Sequence, residues 1–276
     1  MPIRPQHWES SSSLSFARSL FHAAEAKELL HGAFIAASAV EAYYSLFHLG
    51  ASLILAYCSL NPGTAICRGI QNKLEDRQKE RTKQAPQTGC CATCGASLQR
   101  DQVELDPSEG IAHRRVPEFL ANTLIGGALG GSGVHGTLMD MREFVSYAPR
   151  SVRKGVTVYL WSGCHYTPEE FSLHLQKHLT QITEFFFEAL HWLKAKSCSV
   201  VRKRLLTIDF VLHEFDALST YHNEDVRKSA FRLYCSLCEA QKVDCRTYRD
   251  PFTWGLSEEE EQSRRQGFEE IMASLS

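Results

Sequence analysis

Val40-Glu41-Ala42-Tyr43-Tyr44-Ser45-Leu46-Phe47-His48-Leu49-Gly50-Ala51-Ser52-Leu53-Ile54-Leu55-Ala56 is the stretch whose reading decides the fold. It is too long and too continuously apolar for a strand, so it predicts a helix buried around most of its circumference. Tyr43, Phe47, Ala51 and Ile54 fall at helical spacing on one side, and Glu41, Tyr44 and His48 form a polar stripe on another. Two readings of that stripe stay open. Its groups satisfy one another inside a helical core, or they line a ligand pocket or a dimer seam.

Working outward, Leu14 to His31 reads as a preceding helix, with Ala17, Leu20, Phe21 and Ala24 on its apolar face and Arg18, His22 and Glu25 opposite. Gly32 breaks it, and Asn61-Pro62-Gly63 ends the central helix. Two long helices joined so tightly predict an antiparallel hairpin. Arg18 and His22 would then approach His48 and serve with Glu41 and Tyr44 as ligand-binding groups.

Thr64 to Lys83 reads as a charged peripheral helix that buries only Ile66, Ile70 and Leu74. A polar loop from Gln84 to Gly110 follows, too long to lack a local constraint in a compact domain. His113 to Ile125 and Thr137 to Tyr147 predict two more helices, and Gly155 to Trp161 has the alternation of a strand. The glycine run Gly126 to Gly133 meets neither the P-loop nor the dinucleotide pattern, so no nucleotide cofactor motif is present. Thr167-Pro168-Glu169-Glu170 is a helix start with cap, first-turn proline and capping-box glutamate. The helix it opens is anchored by Phe171, Leu175, Leu179, Ile182, Phe186, Leu190 and Leu193. Val200 to Leu218 and Asn223 to Lys242 read as two further helices, followed by a polar tail.

Ala42-Tyr43-Tyr44-Ser45-Leu46-Phe47-His48, followed by small and apolar residues, resembles the second helix of HEPN domains, helical modules of prokaryotic toxin, defence and nucleotide-binding proteins. Thr183 to Leu190 resembles their closing helix. The expected fold is therefore mostly α: a HEPN-like up-and-down helical bundle over 14–196 with a long inserted loop at 84–112. A disordered segment, 1–13, precedes it, and a helical C-terminal extension, 197–276, follows.

Many HEPN proteins are metal-independent ribonucleases that carry an arginine and, after four to six intervening residues, a histidine, brought together in pairs by dimerisation. That spacing is absent here. The nearest equivalent is Arg142 with Tyr147, in the helix where the resemblance puts the motif. Arginine suits a phosphate through its planar fork, whereas tyrosine, with a pKa near ~10, is a poor base at neutral pH. Arg142, Tyr147 and His48 are the candidate catalytic residues. A salt bridge from Arg142 to Glu41 or another buried carboxylate is the structural alternative.

Thirty basic against 32 acidic residues leave the chain near neutral, so any nucleic-acid binding must come from local patches such as Arg68 to Lys83, His113-Arg114-Arg115 or Arg202-Lys203-Arg204. Met1 to Ser13 has no apolar leader, and Glu41 and His48 interrupt the one membrane-like run; both predict a cytoplasmic protein outside the membrane. Ten cysteines in a reducing compartment favour metal ligation or buried thiols over disulfides. Cys91 and Cys94 have zinc-knuckle spacing, and Cys235 with Cys238 would complete a structural Zn site of four thiolates.

Three functional readings follow. The first is an RNA- or nucleotide-binding HEPN-like protein of a prokaryotic defence or toxin–antitoxin-type system, acting as a homodimer. The second is a non-catalytic assembly subunit of a larger complex, and the third a metal-independent ribonuclease using Arg142 with a non-standard partner.

Overall fold

The computed structural model of the chain describes residues 3, 5–84, 106–123, 134–147, 151–153, 156–161, 164–195, 205–206, 210–244, 246–247 and 257–275. Nine helices make up most of them: α1 (Pro5–His31), α2 (Ile35–Leu60), α3 (Ala65–Gln84), α4 (Arg115–Thr123), α5 (Val134–Tyr147), α6 (Pro168–Ala195), α7 (Asp216–Ser219), α8 (Glu224–Ala240) and α9 (Glu258–Leu275). A 3₁₀ turn at Pro107–Gly110 precedes α4, and a π-helical turn at Phe210–Phe215 leads into α7. Between α5 and α6 lies a small antiparallel sheet of β1 (Ser151–Arg153), β2 (Val156–Trp161) and β3 (Cys164–Tyr166), in that order. The alternating run expected as a strand is β2, paired Ser151 to Val158 on one side and Tyr159 to Tyr166 on the other.

α1 and α2 form the expected hairpin, and their seam is lined by small residues. Ser12, Ser19 and Ala26 of α1 stand seven residues apart, opposite Ser52, Ser45 and Ser38 of α2. The Ser19 hydroxyl donates to the Ser45 carbonyl at 2.6 Å and the Ser45 hydroxyl to the Ser19 carbonyl at 2.9 Å. Ser12 donates to the Ser52 carbonyl at 2.8 Å and Ser38 to the Ala26 carbonyl at 2.6 Å. A seven-residue period keeps one stripe facing its partner along both helices. Small side chains let the backbones approach closely enough for a hydroxyl to reach the opposite carbonyl. The hydroxyls of Ser12, Ser19, Ser38 and Ser45 are thereby satisfied, and each bond contributes about 1 kcal/mol net.

The first helix starts at Pro5, nine residues before the expected Leu14, so 1–13 is not a disordered segment throughout. Trp8 is buried and anchors these early turns, while the Ser13 hydroxyl returns to the Glu9 carbonyl at 3.1 Å. A serine-rich sequence lacks the apolar stripe that marks a helix. Here its hydroxyls are used along and across the seam instead.

The residue that closes α1 is Ala33 and not Gly32. Ala33 has φ of 62°, and the Phe34 and Ala33 amides donate to the Leu29 and Leu30 carbonyls at 2.8 and 3.1 Å. This is the Schellman pattern, with alanine in the left-handed position that glycine usually takes.

α6 opens with the expected reciprocal capping box. The Thr167 amide donates to the Glu170 carboxylate at 2.8 Å, and the Glu170 amide to the Thr167 hydroxyl at 3.2 Å. All seven of its expected anchors are buried, each worth about 1.5–3 kcal/mol relative to exposure. Phe186 meets Phe16 of α1 edge-on at 5.5 Å between ring centroids. Leu138 and Met141 of α5 close the far side of α2.

Beyond residue 196 the chain is helical as expected, yet it does not form a separate core. Phe210 packs on Phe16 at 6.2 Å and Phe215 on Phe21 at 4.7 Å, so the π-helical turn and α8 complete the burial of α1. The polar tail is also a helix, α9, capped by Ser257 and Glu260 and held by buried Phe268 and Leu275. α2 is long and apolar enough to cross a membrane by composition, but most of it is enclosed by these neighbours.

Two substitutions test the hairpin. Ser45→Leu puts a branched side chain where a hydroxyl meets a carbonyl, and a loss of about 1–3 kcal/mol in urea unfolding is expected. Ala33→Gly relieves the left-handed strain and should raise stability by roughly 1 kcal/mol, read as a higher melting temperature.

Candidate functional site

The polar stripe of α2 and the polar face of α1 meet beside the seam. His22 Nδ1 lies 2.5 Å from a Glu41 carboxylate oxygen, and its ring stacks on His48 at 5.1 Å with the planes 2° apart. Tyr44 lies 5.7 Å from His22. These were the residues expected to converge, and the hairpin brings them together because α1 and α2 run antiparallel at close range.

His48 illustrates how the site is tuned. Its Nδ1 is buried with no hydrogen-bond partner among the described residues. Burial, followed by the positive fields of His22, Arg18 and His113, pushes its pKa down to about 3. The ring is therefore neutral across the physiological range. A group with so low a pKa is a weak base near neutrality, so its expected catalytic role is not supported by its surroundings; it acts as a packed neutral imidazole.

Arg142 reaches the same patch from α5. Its guanidinium carbon lies 5.0 Å from the centre of the Tyr43 ring and 5.6 Å from that of Tyr44. The salt bridge considered as an alternative is not formed with any carboxylate among the described residues. The guanidinium is held by cation–π contact with both tyrosine rings. Tyr147 is the last residue of α5, and its side chain lies outside the described residues.

Arg18 has a different assignment from the one expected. It pairs with Asp106 at 3.2 Å and reaches Ser108 at 3.4 Å, tying α1 to the 3₁₀ turn. Its charge acts on the site through His48, and its fork is spoken for.

Three contributors were not picked out as site residues from the sequence. His113, read there only as part of a basic cluster, stacks on Phe47 at 4.1 Å and hydrogen-bonds through Nδ1 to the Tyr43 hydroxyl. Burial, and then the charge of Arg142, pushes its pKa down. Burial drives Tyr43 up to about 12, so its hydroxyl stays protonated. Glu25 stands one turn beyond His22 on α1, a spacing visible in the sequence. His222, from the loop before α8, stacks on Phe21 at 4.7 Å and places Nδ1 3.4 Å from Glu25. No local pattern marks it.

The cysteine expectations need correction. Cys58 and Cys67 form a disulfide across the turn between α2 and α3. Cys235 is also disulfide-bonded, so it has no thiolate to give a metal. Cys238 is a buried thiol pushed up to about 12, chiefly by burial. Both face the core from α8, where apolar packing holds them. Cys91 and Cys94 lie outside the described residues, as do the glycine run Gly126 to Gly133 and Arg202-Lys203-Arg204. Of the residues expected to form the four-thiolate Zn site, only Cys235 and Cys238 lie among the described residues.

No protein-family model, curated protein or solved structure matches the chain. What it does must be argued from this geometry.

His48, His113, His178 and His222 all have lowered pKa values. Below the ordinary histidine value of 6.5 the unfolded chain takes up protons that these folded rings refuse, so stability falls as pH drops through that point. Each such ring contributes at most about 1.4 kcal/mol per pH unit. The raised carboxyls of Glu25 and Glu188 act in the opposite sense at the acid end. Unfolding free energy measured from pH 7 to pH 5 should decline, and His48→Phe, which keeps an aromatic ring there, should flatten the decline.

Proposed function

We propose that this chain is an RNA- or nucleotide-binding protein of the HEPN-like kind, serving a prokaryotic defence or toxin–antitoxin-type system as a homodimer. The observation that carries the reading is the Arg142 guanidinium, laid on two tyrosine rings with no carboxylate to neutralise it among the described residues. A cation held on aromatic rings and not neutralised by a carboxylate suits a phosphate, which an arginine fork can hold by two parallel hydrogen bonds. Tyr44 and the imidazole of His113 supply further polar groups in the same patch. The density of Tyr43, Tyr44, Phe47 and His48 in the second helix, where the resemblance lies, supports the family half of the proposal.

A second reading is favoured by one contact. The Tyr43–His113 hydrogen bond sets a neutral imidazole beside Arg142, the combination that the sequence motif lacks. With Nδ1–H donating to the Tyr43 oxygen, the His113 Nε2 carries the free lone pair. That imidazole can exchange a proton at a ribose 2′-hydroxyl while arginine stabilises the charge growing on the phosphate. His113, not Tyr147 or His48, is then the partner of Arg142 in a metal-independent ribonuclease.

Labelled RNA incubated with the purified protein in EDTA separates these readings. Retention that weakens as salt rises and drops at least about tenfold in Arg142→Ala is expected, since phosphate contacts release counterions. Products ending in a cyclic phosphate, lost in His113→Ala, would establish cleavage. Neither retention nor cleavage would leave an assembly subunit as the surviving reading.

A further inference from the structure

His22, Glu25 and Glu41 bring one imidazole nitrogen and two carboxylate oxygens within 4.8 Å of one another. His22 and Glu25 stand one turn apart on α1, and Glu41 faces them from α2. A fourth donor comes from a separate part of the chain. His222 sets Nδ1 3.4 Å from Glu25, its ring held in place by stacking on Phe21. We propose that His22, Glu25, Glu41 and His222 form a binding site for a divalent transition-metal ion.

The donor set fits such an ion. Two imidazoles and two carboxylates suit borderline to hard divalent cations, with bonds of about 2.0–2.2 Å. Bond lengths of that order put neighbouring donors roughly 3–4 Å apart; His222 lies 3.4 Å from Glu25, and side-chain rotation is needed to bring it into one shell with the other three. Charge points the same way. Glu25 and Glu41 repel each other at half-buried positions, and one imidazole between them only partly offsets two carboxylates. A dication removes that repulsion.

The four donors come from both helices of the hairpin and from the loop that leads into α8. An ion there cross-links the C-terminal segment to the hairpin, beside the Arg142 patch but sharing no donor with it. The proposal thus stands apart from the phosphate-binding reading.

Mn²⁺ is the probe of choice, because it prefers imidazole and carboxylate to thiolate and so avoids the cysteines. The full chain is stripped with EDTA and titrated with Mn²⁺ alone, with free Mn²⁺ read by electron paramagnetic resonance. Saturable uptake of one ion per chain is expected, together with a higher melting temperature in Mn²⁺. Glu25→Gln and His222→Gln should each weaken binding by about tenfold or more, with helical circular dichroism unchanged. Arg142→Ala should bind Mn²⁺ as the parent does. Absence of saturable uptake, or uptake indifferent to both Glu25→Gln and His222→Gln, would overturn the site and show a hydrogen-bonded network only. Because RNA retention is read in EDTA, failure here and failure there are separate results.

Discussion

The close approach of α1 and α2 is the constraint on which the rest of this structure depends. Hydroxyl groups at Ser12, Ser19, Ser38 and Ser45 are short enough to let the two backbones come together and polar enough to bond the opposite carbonyls. A leucine seam would hold the helices farther apart. At the observed spacing, side chains at the margin of the seam meet directly, and His22 reaches Glu41. The seam also leaves the remaining faces of both helices apolar. α6 and the π-helical turn cover α1, while α4, α5 and α6 cover α2, so one hairpin organises two sides of the core.

Electrostatics at the margin follow from that packing. The site gathers His22, His48, His113 and His222 with the guanidinium of Arg142 nearby. Burial disfavours the charged form of each shifted ring, and the neighbouring cations disfavour it further. The outcome is three imidazoles, His48, His113 and His222, whose charged form is disfavoured, beside Arg142 on its tyrosine rings, Glu41 against His22, and Glu25 beside His222. Neutral nitrogen and anionic oxygen donors suit a metal ion on one side. An unneutralised guanidinium suits a phosphate on the other. The aromatic packing of Tyr43, Tyr44 and Phe47 separates the two functions while fixing the geometry of both.

Much of the site was legible from helical spacing. Glu41, Tyr44 and His48 lie on one stripe and Arg18, His22 and Glu25 on another, so a hairpin had to juxtapose them in some register. Which pairs formed was not legible. Arg18 turned to Asp106, and His22 took Glu41 as its partner. His113 and His222 carry no periodic signature, because each sits at the edge of a helix and is placed by the loop before it. The cysteines misled for another reason: whether two sulfurs meet depends on how the chain turns between them, as between Cys58 and Cys67, and the chemical identity of a thiol says nothing about it.

The sequence alone determined what short-range physics controls. The apolar run of α2, the capping box at Thr167 and the alternation of β2 each encode a local backbone state, since propensity, capping and periodicity act over a few residues. The tertiary structure decided the start of α1, where burial of Trp8 overrides weak serine propensity, and the merging of the C-terminal helices into the core. It also decided the convergence of His22, Glu25, Glu41 and His222. That meeting depends on helix register and loop path over nearly two hundred residues of separation, and no local pattern in the chain encodes either.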